Sequence, residues 1–526
     1  MRPATRCAAT LSLLGAALVA GPAAAQSTVT VARQIDTDRY DPHISTARGT
    51  AEIMFMVGDT LVTLDYDMKT IRPGLAESWT VSDDGLTYTF KLKQGVKFCS
   101  GKAFTANDVK ASIDRWLAHP KGVTKTRAGP VDALTVIDDH TLEYKLKQPY
   151  SELLFQMTQH NHTVLNIDQV NALGDDYGVK PFDGTGPYCM ESWEPRNEVV
   201  MRKHVGYDWG PPFYEHKEAQ VDKVVWKVVP EEGTRVASLK TGQIDVTQYV
   251  PYWAMAELEA MPNMSVSQAE AYFWTQYVGM KITRDGVSDE VVRKAINLAI
   301  DQKALAESVY FGLAEPAYAY ISPKVLDYDA GMDLGHFGYD PDKARKMLDD
   351  AGWKPGSDGV RAKDGKRLSF RTYGFAGTLN RDMLEAMQGD LRKIGVEMNI
   401  EIHDATVIWG LLAKQDFDMY AMSYPYVSAG DALNLYFPSK NMPTPNRMNW
   451  ENKQTDEWLS QANAALTDAD RAALLGKVQR QVHDAAVWVP IVHEPLFLVS
   501  SAKLQPIRAH GIYGCGLYKG LGLAMK

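Results

Sequence analysis

Residues 72–117 constrain the fold more than any other stretch of this 526-residue chain. Asp83-Asp84-Gly85 reads as a tight turn. Leu86, Tyr88, Phe90 and Leu92 then alternate with Thr87, Thr89, Lys91 and Lys93, which is the period of a half-buried strand. A second Gly-containing turn leads to Thr105, three residues before Asp108. That is the spacing at which an N-cap hydroxyl and an N3 carboxylate satisfy the free N–H groups of a helix. Val109, Ile113, Trp116 and Leu117 fall on one face of that helix. The stretch therefore predicts strand, turn and capped helix, and carries no catalytic chemistry.

The chain begins with two positive charges, Arg2 and Arg6, followed by an apolar run from Cys7 to Ala20 and small residues at Ala23 and Ala25. This is the pattern of a secretory signal cleaved after Ala25, and the run is short for a membrane span. Cys7 precedes the apolar run, so a lipoprotein anchor is not expected. The remaining ~500 residues exceed what one core usually holds, which predicts at least two domains. Loss of Arg2 and Arg6 takes the formal charge from −9 to −11, an acidic balance that argues against nucleic acid or anionic membrane as a partner. Cys99, Cys189 and Cys515 remain, enough for one disulfide and one thiol in an oxidising compartment. Spacing leaves the pairing open; the Gly-rich settings of Cys99 and Cys515 favour those two.

From Gln26 to about Tyr277 the pattern is mostly strands and turns: 27–33, 86–93, 141–147 and 224–229, with a helix over 231–240. After Gly279 helices become frequent. Val292, Ala295, Ile296, Ala299 and Ile300 form an apolar stripe, Asp340-Pro341 opens a second helix, and further helices are predicted over 380–393 and 471–484, with a strand at 396–402. The alternation predicts a mixed α/β second lobe, and no repeat of 20 to 50 residues is visible.

Several ordered segments carry a family likeness. They are the 72–117 block, Gly184-Thr185-Gly186-Pro187-Tyr188 with Trp193 and Tyr207-Asp208-Trp209-Gly210, and Arg293, Ala295, Ala299 and Asp301. Tyr339-Asp340-Pro341 with Ala344, Leu348 and Ala351-Gly352-Trp353, Leu391–Gly395 and Phe417-Asp418-Met419 complete the set. Together they resemble the solute-binding proteins of peptide-type ABC importers, solute-binding family 5, over essentially the whole mature chain. The resemblance implies an α/β, two-lobed periplasmic binding protein (class II, cluster C type) with an extra subdomain in the first lobe and a hinged ligand cleft. It implies a signal over 1–25, lobe I over 26–277 with its subdomain at about 56–205, lobe II over 278–495, and a return to lobe I over 496–526. The crossings are expected near Tyr277–Lys281 and His493–Phe497. Hinge closure on a shared ligand would let a permease distinguish the loaded form.

The same resemblance puts ligand contacts on loops at the cleft. The first is 423–431, where Tyr424 and Tyr426 offer aromatic faces, or else simply pack the loop. Peptide-binding members resemble W-x-x-D here, with an acid for the ligand's α-ammonium. That acid falls at Val427 or Ser428 in this chain, while Asp431 matches a later acid read as a turn or capping residue. Ordinary peptides are thereby less favoured than a modified peptide, opine or other amino-acid conjugate; oligosaccharides and metal complexes rank below them. The second loop, 373–381, offers Phe375, and Arg381 as a carboxylate fork or a solvated helix-start residue. The segment 273–277 leads to the expected crossing and offers Trp274, as apolar wall or as core, and Tyr277. Tyr40 closes a further candidate loop, 36–40.

Gly184–Pro187 lacks the lysine and helix of a phosphate-binding loop and reads as a structural turn; Gly514-Cys515-Gly516 fails the dinucleotide fingerprint. His160 and His162 form an H-x-H pair without a third ligand, so no metal is expected. No cofactor is expected either. With no G-x-S-x-G, H-E-x-x-H or Cys/His nucleophile setting, the expectation is a monomeric binding protein, not an enzyme, with a small organic solute and inner-membrane permease subunits as partners. A sensor role on the same fold stays open.

Overall fold

The computed structural model describes residues 26–333, 338–423 and 426–526. A seven-stranded sheet combines the first and last strands of the described residues, in the order Met264–Gln268, Phe497–Ser501, Val246–Thr247, Thr28–Arg33, Lys223–Val228, Glu198–Lys203 and Tyr188–Glu194. Thr28–Arg33 runs parallel to both neighbours, whereas Phe497–Ser501 is antiparallel to its own. A six-stranded sheet forms the second lobe, in the order Glu315–Pro316, Trp488–His493, Thr275–Met280, Met419–Met422, Ser369–Phe375 and Glu397–His403. The amphipathic helices Glu290–Ala299, Pro341–Asp350 and Asn380–Lys393 bury Ala295, Ile296, Leu348 and Leu384 in the cluster that packs on this sheet. Their polar faces stay in water.

The 72–117 stretch folds as its chemistry dictates. Thr87–Leu92 pairs with Ala76–Val81 and Thr141–Leu146, and Tyr88, Phe90 and Leu92 are buried. Helix Ala106–Ala118 opens with the capping box, in which Thr105 N–H donates to Asp108 Oδ2 at 2.9 Å. These strands form a separate four-stranded antiparallel sheet with Val131–Asp138. The later strands 188–194 and 198–203, inside the expected subdomain range, belong to the seven-stranded sheet instead.

Two segments link the lobes. The chain leaves the seven-stranded sheet after Gln268 and enters the six-stranded one at Thr275, so residues 277–280, expected at the crossing, are already strand. All six residues of Thr275–Met280 are buried, as a central strand requires. The return lies between His493 and Phe497. Both segments are joined, Glu494 N–H donating to the Trp274 carbonyl and Ala269 N–H to that of Leu496, each at 2.9 Å.

Helix Arg48–Val57 has no counterpart in the periodicity reading because nine of its ten residues are buried; a helix covered all round loses its amphipathic stripe. It explains Gly184–Pro187. A Cβ on Gly184 would lie 2.0 Å from the Val57 carbonyl oxygen, and one on Gly186 2.5 Å from that of Met56. The glycines admit the helix end.

The cysteine expectation is corrected. Cys99 bonds Cys189, and Cys515 is the buried thiol. Cys99 N–H donates to the Gly184 carbonyl, bringing the 99 loop beside the strand that carries Cys189. Burial raises the Cys515 thiol well above its ordinary range. Among the described residues no helix is long and apolar enough to cross a membrane.

Candidate functional site

The lobes meet where the first-lobe segment 150–163 faces the second-lobe loop 426–431. Ser428 caps helix Ala429–Tyr436, its hydroxyl accepting the Asp431 N–H at 2.9 Å. Asp431 sits in the first turn, where a carboxylate complements the helix dipole, and accepts the Val427 N–H at 3.3 Å. These local bonds aim both side chains at the first lobe. Ser428 Oγ donates to Glu152 Oε2 at 2.6 Å, and Gln156 Nε2 donates to Asp431 Oδ1 at 3.3 Å. Arg127 pairs with Asp431 at 3.5 Å. Ser151 adds two bonds, from its N–H and hydroxyl to the carbonyls of Asn463 and Ala462.

Beside these contacts lies a cavity of about 680 Å³. Arg127, Tyr150 and Gln156 line it from the first lobe, and Asp431, Asn434 and Asn463 from the second. Its volume suits a small solute. An apolar layer continues inward across the same boundary. Phe55, Phe155 and Tyr513 of the first lobe share one buried cluster with Tyr277, Tyr320, Tyr426 and Val427.

The electrostatics of this boundary are set by burial. It pushes the Glu152 carboxyl up to about 7, against the pull of the Ser428 hydroxyl and Arg471, and with the push of Asp327 and Asp431. Arg471 Nε lies 3.9 Å from Glu152 Oε1 and donates to Asp327 Oδ2 at 2.7 Å. Burial also drives His160 and His162 down to about 3, so both rings are neutral at physiological pH. Each points a ring nitrogen at a carbonyl, His160 Nε2 at Ser45 and His162 Nε2 at Arg127. His162 also stands edge-on to Trp116. The two histidines are held separately.

The other expected site residues spread over both lobes. Tyr40 is buried, bonded to Asp36 and Arg33 and edge-on to Trp193. Trp274 is half-buried in the first crossing, stacked at 6.0 Å on Tyr272. Tyr277 stacks at 3.8 Å on Trp488 within the second lobe. Phe375 ends its strand against Trp409, and Arg381, 60 % exposed, pairs with Glu385 one turn along its own helix. Tyr426 is buried, its hydroxyl 3.0 Å from that of Thr275 and donating to the Tyr320 carbonyl. Tyr424 lies outside the described residues. Of this set the structure brings Ser428 and Asp431 to the first lobe, and Asp431 to the cavity wall.

Sequence reasoning missed Arg127, Glu152, Gln156 and Gln159, the first-lobe side of the boundary. One signal was available. Residues 153–167 contain no charged side chain, in a chain that is 23 % charged, yet hold Gln156, Gln159, His160, Asn161 and His162. A polar run without charge, Gly, Pro or periodicity fits burial against another surface.

Comparisons with known proteins agree with this architecture. Residues 70–443 match the family described as bacterial extracellular solute-binding proteins, family 5 Middle. The glutathione-binding protein GsiB of Salmonella typhimurium is 29 % identical over 514 residues, covering 93 % of this chain and 94 % of that protein. NikA from Brucella suis in complex with Fe(III)-EDTA superposes with a TM-score of 0.84 at 24 % identity, over 95 % of this chain and all of that one. DppA from Helicobacter pylori in complex with the peptide STSA gives 0.81 at 23 %, over 95 % and 98 %. At these identities the two structures speak to the fold alone.

Proposed function

Because this chain belongs to family 5 of the bacterial extracellular solute-binding proteins, we propose that it captures an amino-acid-derived solute, a modified peptide or conjugate, in the cavity between its lobes. Members of the family are the extracytoplasmic binding components of ABC importers, so the chain works with permease subunits and is a binding protein, not an enzyme. The observation that carries the site is the inter-lobe cavity of about 680 Å³, walled by Arg127 and Gln156 on one side and Asp431 on the other. A ligand there touches both lobes, which is what couples binding to closure.

The solute class draws on two supports: the relative named for binding glutathione, and Val427 and Ser428 standing where peptide-binding members resemble an acid. The leader pattern supports a periplasmic protein freed after Ala25 without a lipid anchor, and the acidic balance supports a monomer that leaves nucleic acid alone. Mass spectrometry of solute released from the purified, denatured protein tests the reading directly. In parallel, glutathione at ~100 times its Kd is expected to stabilise the protein by ~2.7 kcal/mol. Absence of both a recovered solute and any stabilisation by glutathione or short peptides would overturn it.

A further inference from the structure

The polar run on the first-lobe face has a hydrogen-bond inventory that does not close among the described residues. Thr158 and Thr163 donate to the carbonyls of Phe155 and His160, and Asn161 donates to those of Pro42 and Ser45. His160 Nε2 faces the Ser45 carbonyl at 3.0 Å. A carbonyl only accepts, so Nε2 carries the proton and Nδ1 is a bare acceptor. Among the described residues that Nδ1 has no partner, and neither does Gln156 Oε1, whose amide nitrogen is committed to Asp431. Gln159 is fully buried and, among the described residues, both its amide atoms are unpartnered. A buried polar atom left in this state keeps its full desolvation penalty, so three such side chains within five residues ask for a ligand.

Gln156 and His160 stand at the boundary between the lobes, with Gln159 next to His160 in the chain. Gln156 lines the inter-lobe cavity. His160 packs edge-on to Phe55 and Tyr513, the first-lobe rings of the cluster that also holds Tyr426 and Val427 of the second lobe. The chemistry is one-sided. His160 Nδ1, Gln156 Oε1 and Gln159 Oε1 all accept, and only the Gln159 amide nitrogen donates. The nearby cation Arg127 is engaged by Asn161 and Asp431.

We infer that Gln156, Gln159 and His160 determine specificity by receiving the N–H donors of the solute, an ammonium or amide group, on the first-lobe face. A carboxylate, sulfonate or phosphate placed there would meet three acceptors and one donor, which excludes an anionic group from this subsite. The inference deepens the inter-lobe reading and rests on it.

The test needs the full chain and defined probes. Glutathione and alanyl-alanine, which carry N–H donors, are compared at pH 8 with succinate, which carries none, by thermal shift and calorimetric titration. At least one donor-bearing probe is expected to bind, and succinate to bind at least 30-fold more weakly. On the probe side, equal or tighter binding of succinate overturns the inference, as does failure of both donor-bearing probes. On the protein side, Gln159→Glu keeps an acceptor and is expected to hold affinity within threefold, whereas Gln159→Lys is expected to lose tenfold or more. The reverse order overturns the inference. His160→Gln retains a donor for Ser45 while removing Nδ1, and is expected to weaken binding about tenfold with the melting temperature of the free protein nearly unchanged. Unchanged affinity counts against the inference, and because the probe comparison uses the native chain, misfolded variants do not shelter it. A solute recovered from denatured protein, with no response to the donor-bearing probes, leaves solute binding standing and removes this inference alone; with no recovered solute and no response, both fall.

Discussion

Ser428 Oγ donates to Glu152 Oε2 at 2.6 Å, joining residues 276 apart in sequence across the boundary between the lobes. The same hydroxyl caps a second-lobe helix by accepting from Asp431 N–H. One side chain therefore ties the start of that helix to a first-lobe carboxyl that burial has pushed up to about 7.

That carboxyl predicts a pH dependence. Its ordinary value is near 4.5, and its folded value near 7 means the folded chain holds the proton more tightly. The stabilisation is fully present below about pH 4.5 and is lost as pH climbs through about 7. Relative to wild type, Glu152→Gln should flatten this part of the stability profile, a difference of about 3 kcal/mol between pH 4.5 and pH 8. Urea denaturation of both proteins across that range measures it, and parallel profiles would refute it.

Gly430 lies against the same group. A Cβ there would stand 2.3 Å from Glu152 Oε1, whose carboxylate Ser428 pins. Gly430→Ala should therefore cost about 1–3 kcal/mol of lobe apposition. Small-angle scattering is expected to show a more open molecule, with circular dichroism of the separate lobes' elements preserved. An unchanged radius of gyration with unchanged stability would show that the boundary yields.

The Cys99–Cys189 bond closes a loop of 90 residues that includes two strands of the four-stranded sheet, Val131–Asp138 and Thr141–Leu146. Chain entropy assigns such a link about 4–5 kcal/mol. Replacing both cysteines by serine should lower the denaturant midpoint accordingly. Cys515, buried and raised well above its ordinary range, should resist thiol reagents until the protein unfolds.

Arg381 provides a control at the other candidate loop. Exposed and 3.7 Å from Glu385, it should contribute no more than about 0.5 kcal/mol to stability. Arg381→Ala is thus expected to leave the melting temperature unchanged, and any loss of solute affinity in that variant would report direct contact with the solute.

Much of the scaffold was legible because its signals are local. The alternation of Tyr88, Phe90 and Leu92, the Thr105–Asp108 box and the Asp340-Pro341 helix start each depend on neighbours a few residues away. Helix Arg48–Val57 was not legible, since burial on every side erases periodicity. At the site, Ser428 and Asp431 lay in a loop marked by family likeness, while Gln156 and Gln159 lay in a run whose only mark was its missing charge.

The sequence by itself determined the types of the locally patterned elements, the leader pattern and the family, and with the family a two-lobed binding fold. Those follow from short-range chemistry and from ordered motifs. Only the tertiary structure decided that Cys99 pairs with Cys189, that Glu152 meets Ser428, and that Gln159 and His160 are buried with acceptors unspent. Each of these is a choice of partner across tens to hundreds of residues. Hydrogen bonds and desolvation act over a few ångströms, so such a choice exists only once the chain has brought the two surfaces together.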